Sequence, residues 1–154
     1  MVWDDIKVGA VFQSAGRTIT EADLVNFAGL SGDFNPIHTD AAFASTTIFG
    51  SRIAHGLLGL SIASGLLTRT DSLGSNVIAF LGINDWRFSA PIRIGDTIRA
   101  RATVTRTRST KEPDRGIVIE HVEVLNQHDE IVQSGEFVVM IRRVTSDEYQ
   151  KQDV

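Results

Sequence analysis

The stretch "IAHGLLGLSIASGLL", Ile53 to Leu67, decides how this chain folds. From about His55 to Arg69 the residues are apolar or small almost all the way round. A helix without a polar face must be covered on most of its surface. The run is too short to span a bilayer and carries serine, glycine and histidine, so a buried helix is expected here.

The second half of the chain supplies the cover. "VIAFLGINDWRF", "DTIRARATVTRTR", "GIVIEHVEVLNQ" and "EIVQSGEFVVMIRRV" are long strand-like runs, and the breaks between them hold Gly, Pro or Asp. In the second run Ile98, Ala100, Ala102 and Val104 alternate with Arg99, Arg101 and Thr103, the pattern of one buried and one wet face. Helices followed by strands suggest an α+β domain, with an antiparallel sheet curled around the apolar helix. A single sheet of this kind leaves an edge unprotected, so a second copy pairing there, a homodimer at least, is expected.

Ahead of the apolar helix, "VFQSAGRTI" reads as a first strand and "EADLVNFAGL" as a helix capped by Thr20, with Asp23 completing a capping box. Gly32 and Pro36 end that helix. "DAAFAS" forms a short helix capped by Asp40, and "TTIFGSRIA" an irregular connection.

The 154 residues suit one domain over 1–154, and 42% apolar with 22% charged residues is ordinary globular composition. A net charge of −4 argues against nucleic acid or an anionic membrane as partner. The absence of cysteine removes disulfides, thiolate metal sites and thiol nucleophiles, and fits a reducing compartment. "MVWDDIKVGA" has an acidic pair where an export signal would be basic, so a cytoplasmic location is expected. No phosphate-binding glycine loop, nucleophile elbow or zinc-ligand spacing occurs among the motifs, and no metal is expected. The basic segment "RARATVTRTRSTKEPDR" reads as a solvated strand face or as a patch for ligand phosphates.

"SGDFNPIHTD", Ser31 to Asp40, combines an acid, an amide and an imidazole around a proline. The five-residue offset from Asp33 to His38 would not align them on one helical face, but Pro36 breaks the helix and lets the chain fold back. Spacing alone leaves two readings: an Asx turn with a packed histidine, or a proton-transfer pair.

Together, "SGDFNPIHTD", "IAHGLLGLSIASGLL" and "WRFSAPIRIGDTI" strongly resemble the MaoC-like hydratases, the R-specific enoyl-CoA hydratase branch of the hot-dog fold. The resemblance runs from about Thr20 to Val104. It implies a hydro-lyase of fatty acyl metabolism that adds water reversibly to a trans-2-enoyl-CoA and yields the R-3-hydroxyacyl-CoA. It needs no cofactor besides the coenzyme A of its substrate. Carried onto this chain, the resemblance makes Asp33 and His38 catalytic and gives Asn35 the shaping of their turn. Gly56 offers its N–H to the thioester carbonyl, and Ser64 orients the Asp33 carboxylate. Imidazole titrates near neutrality unaided, and a carboxyl group does so when buried against walls such as Phe34 and Ile37. His38 is expected to act as base toward water and Asp33 to return a proton.

His55 reads as a helix-entry residue whose ring satisfies backbone groups, and Trp86, Arg87 and Phe88 as sheet packing. Acyl selectivity is expected from "TTIFGSRIA", from Leu66 and Leu67, and from "TDSLGSN". The same site residues also suit a dehydratase acting on acyl-carrier-protein or dicarboxylic acyl-CoA substrates. A non-catalytic acyl-CoA-binding subunit needs no acid–base pair, and a thioesterase would release free thiol.

Overall fold

The computed structural model describes residues 3, 6–70, 73 and 76–143. Strand β1 (Val11–Gln13) and the short β2 (Arg17–Thr18) lead into α1 (Glu21–Ser31), α2 (Pro36–Thr39) and α3 (Ala41–Ser45). The apolar run forms α4 (Gly56–Leu67), followed by β3 (Val77–Phe88), β4 (Thr97–Ser109), β5 (Arg115–Leu125) and β6 (Ile131–Arg142). The strands pair antiparallel in the order β1-β4-β5-β6-β3, with β2 also on β4.

Helix α4 packs against β4 and β5. Leu58, Ile62, Ala63 and Leu66 of the helix share one core with Ile98, Ala100, Ala102 and Val104, the four residues whose alternation marks the inner face of β4. On the outer face Arg99 pairs with Asp129, Arg101 with Glu123 at 2.8 Å, and Arg115 with Asp114 at 2.8 Å. These ion pairs make that part of the basic segment a solvated sheet face. No helix among the described residues is long and apolar enough to cross a membrane.

The expected first strand is split in two. The Ser14 hydroxyl accepts from the Ala100 N–H at 2.9 Å, taking the place of a backbone carbonyl in the ladder. A methyl group on Gly16 would lie 2.9 Å from the Thr97 side chain, so glycine lets the chain pass close there. The chain steps out of register at this point and re-enters as β2.

Strand β3 closes the sheet at one edge, and Val77, Ile78, Phe80, Leu81, Ile83 and Phe88 are all exposed along it. An apolar edge with free backbone groups is a template for another strand.

Candidate active site

Helix α1 starts as its sequence dictates: the Asp23 carboxylate accepts from the Thr20 N–H at 2.8 Å. It stops at Gly32, whose φ of 76° places it in the left-handed region that glycine tolerates best. The Asn35 side chain accepts from the Ile37 N–H at 3.1 Å and caps α2, with Pro36 at its first position. One residue earlier, the Asp33 carboxylate accepts from the Asn35 N–H at 3.1 Å. Each side chain of the Asp33–Asn35 pair therefore holds the backbone two residues ahead, and the turn presents His38 back toward Asp33.

The imidazole of His38 meets the start of α4. Its Nδ1 lies 2.8 Å from the Ile53 carbonyl. A carbonyl only accepts, so Nδ1 carries the proton and Nε2 keeps its lone pair. The same logic fixes His55, whose Nε2 lies 2.9 Å from the Asp33 carbonyl. The two rings stack with centroids 3.9 Å apart and planes at 27°, and Phe27 closes on His55 at 5.0 Å. Donor atoms of Asp33, His38 and His55 all fall within 4.8 Å of one another. Asp33, His38 and His55 thus form one cluster of acid–base side chains at the turn.

His38 and Gly56 line one cavity of about 430 Å³, together with Ile53, Phe88 and Gln133. Gly56 is the first residue of α4, and its N–H makes no backbone hydrogen bond among the described residues. It carries the positive end of the helix dipole into the cavity. The absent side chain lets the Phe88 ring close on the helix start, since a Cβ would sit 2.7 Å from it. The Gln133 amide, 1% exposed, donates to the Gly56 carbonyl at 3.1 Å and accepts from the Trp86 indole N–H at 3.3 Å. A Cβ on Gly59 would lie 2.4 Å from that amide nitrogen.

Asp33, Asn35, His38 and Gly56 thus gather as expected, and two expectations need correction. Ser64 lies eight residues after Gly56, about 12 Å along the helix. It lines a different cavity, and its hydroxyl makes no bond to Asp33. The Asp33 side chain is exposed and Phe34 is 63% exposed, so Phe34 builds no apolar wall around this carboxylate within one chain. Part of the "TDSLGSN" stretch falls outside the described residues. Gln133 and Trp86 escape a motif-based reading because they act on Gly56 from strands far away in sequence. His55 does satisfy a backbone carbonyl, and it also stacks on the His38 ring.

A model of the MaoC like domain family matches residues 6–126. The chain is 43% identical over 104 residues to an (R)-specific enoyl-CoA hydratase of Rhodospirillum rubrum, covering 67% of this chain and 69% of that protein. It is 33% identical to a 3-hydroxybutyryl-CoA dehydratase of Methylorubrum extorquens, over 92% of this chain and 84% of the relative. A crystal structure of a MaoC-like dehydratase from Rhodospirillum rubrum superimposes with a TM-score of 0.83 at 30% identity, over 94% of this chain and 99% of that one. A Mycobacterium tuberculosis protein with a double hot-dog fold superimposes at 0.83, with 22% identity over 95% of this chain and 45% of its own. With the sheet and helix arranged as a hot dog and the family model spanning most of its length, the chain belongs to the MaoC-like dehydratases.

Proposed function

We propose that this hydro-lyase is an R-specific enoyl-CoA hydratase, adding water reversibly to a trans-2-enoyl-CoA. The reading is carried by one observation: the Ile53 carbonyl pins the His38 tautomer, leaving a basic Nε2 in the cavity that Gly56 also lines. His38 Nε2 takes a proton from water as the oxygen attacks C3. The electron pair of the C2–C3 double bond moves toward the thioester, and the charge that develops on its oxygen meets the Gly56 N–H. The Asp33 carboxylate receives that proton from His38 and delivers it to C2, restoring both groups. Atoms and charge balance without metal or redox cofactor.

The active unit is a homodimer in which β3 pairs with β3 of a second copy. The apolar edge supports this, since pairing there would extend the sheet and cover Phe80 and Phe88. A cytoplasmic location fits the cysteine-free composition.

Loss of the enoyl absorbance of crotonyl-CoA in the presence of the protein tests the reaction, with chiral analysis of the 3-hydroxybutyryl product. The proposal expects hydration to the R isomer. An S product, or release of free thiol without loss of the enoyl group, would overturn it.

A further inference from the structure

Strand β5 turns its even-numbered residues inward: Val118, Val122 and Val124 are fully buried on the face toward α4. Glu120 follows the same alternation and is 4% exposed. A carboxyl group in such a position normally has a cation or several N–H partners. Glu120 has neither among the described residues: its Oε1 is buried without a hydrogen-bond partner there. Burial alone pushes its pKa up to about 7, so near neutrality the group stands poised between donor and acceptor.

The carboxyl faces a cavity of about 120 Å³ that Ser64, Leu67, Val77, Phe80 and Phe137 also line. The walls are apolar apart from the Ser64 and Thr68 hydroxyls, and Thr68 already donates to the Gly65 carbonyl at 2.8 Å. No cationic side chain lines the space among the described residues. The volume is close to that of an engineered cavity of about 150 Å³ that holds benzene, so about five heavy atoms fit.

This cavity lies toward the C-terminal end of α4, and the cavity of His38 lies at the start of the same helix. Gly56 meets Phe88 at one end, and Ser64 with Leu67 meets Val77 and Phe80 at the other, so α4 and β3 run past each other in opposite directions. Phe137 of the distal cavity stacks on Trp86 at 5.4 Å, and Trp86 holds the Gln133 that lines the cavity of His38.

The geometry points to a polar distal subsite, in which Glu120 and Ser64 receive an acyl chain bearing a hydroxyl group near its end. A hydroxyl donates to one group and accepts from the other, whichever state the carboxyl holds. A purely alkyl tail leaves both unpartnered, and a carboxylate tail meets Glu120 with no counter-ion. The inference rests on the acyl-CoA reading above and names the class of acyl chain that the site takes.

Calorimetric titration of the full chain tests it, with pairs of ligands matched in length: hexanoyl-, octanoyl- and decanoyl-CoA against their ω-hydroxy counterparts. At least one hydroxylated ligand should bind at least about tenfold tighter than its alkyl partner. Glu120→Leu should reverse that order, and Glu120→Gln should keep part of it. Should Glu120→Leu fail to fold, the wild-type ratio and Glu120→Gln decide. Equal or tighter alkyl binding by the wild type at every length overturns the subsite. Crotonyl-CoA hydration is assayed separately: its absence with the preference intact overturns the reaction and leaves the subsite standing. Binding of neither ligand class overturns both.

Discussion

His38 and His55 stack at 3.9 Å, and each commits one ring nitrogen to a backbone carbonyl, Ile53 for the first and Asp33 for the second. The residue before the helix start thus grips the turn that carries the carboxylate and supports the flat face of the basic imidazole. His55→Ala should lower kcat about a hundredfold, because a shift of the order of 1 Å in a reacting group has that effect. His55→Gln keeps a donor near the position of Nε2 and should recover thermal stability ahead of activity. Steady-state kinetics beside thermal unfolding check this. Full kcat in His55→Ala would show that the stack positions nothing.

The contact between Gly56 and Phe88 gives a second expectation. A methyl group at residue 56 would lie 2.7 Å from the aromatic ring, a side chain that must shift to admit it. Gly56→Ala should therefore fold, lose little stability, and lose about tenfold or more in kcat through a displaced N–H. Adding Phe88→Leu should restore part of the rate. No rescue by the double variant would place the damage in the backbone itself.

Gln133 joins two polar groups that have no other use for each other, the Trp86 indole and the Gly56 carbonyl. Gln133→Leu leaves the Trp86 indole N–H without its partner and takes one of the bonds from the Gly56 carbonyl, and should cost about 1–3 kcal/mol of stability. Trp86→Phe removes the orphaned group, so the double variant should lose less than the sum of the single ones. Urea unfolding of the four proteins measures the coupling. Strict additivity would contradict the network.

Glu120 makes stability depend on pH in an unusual direction. Its carboxyl titrates at about 7 in the folded chain against 4.5 as its ordinary value. Between those values the folded state holds a proton that the unfolded state has released, so stability falls as pH rises through that window. The loss amounts to about 3 kcal/mol by linkage. Glu120→Gln should abolish this component, and the difference between wild type and variant, measured from about pH 4.5 to about pH 8, isolates it. A difference that stays flat with pH would show that the carboxyl is not desolvated.

Much of this was legible in the sequence because it rests on local rules. The alternation of Ile98 to Val104 marks the inner face of β4, and the apolar girth of the 56–67 helix demands a sheet around it. Thr20, Gly32, Asn35 and Asp40 mark helix ends through bonds that span only two to four residues. Long-range geometry was less legible. The break at Ser14 depends on a hydroxyl meeting Ala100, far away in sequence. Ser64 shares a helix with Gly56, and the family motif links it to Asp33, yet two turns of helix direct it to another cavity. Gln133 and Glu120 belong to strands whose alternation announces burial but not the company each side chain keeps.

The central claim is that Asp33 and His38 work as one acid–base pair on a bound enoyl thioester. Single-turnover hydration of crotonyl-CoA by wild type, Asp33→Asn and His38→Ala, each first shown by calorimetry to bind a saturated acyl-CoA, tests it most directly. The account predicts that each variant binds the thioester and loses about a hundred- to ten-thousand-fold in the chemical step. The double variant should be little slower than either single one, since paired groups lose their effect together. Hydration at the wild-type rate by either single variant would contradict it.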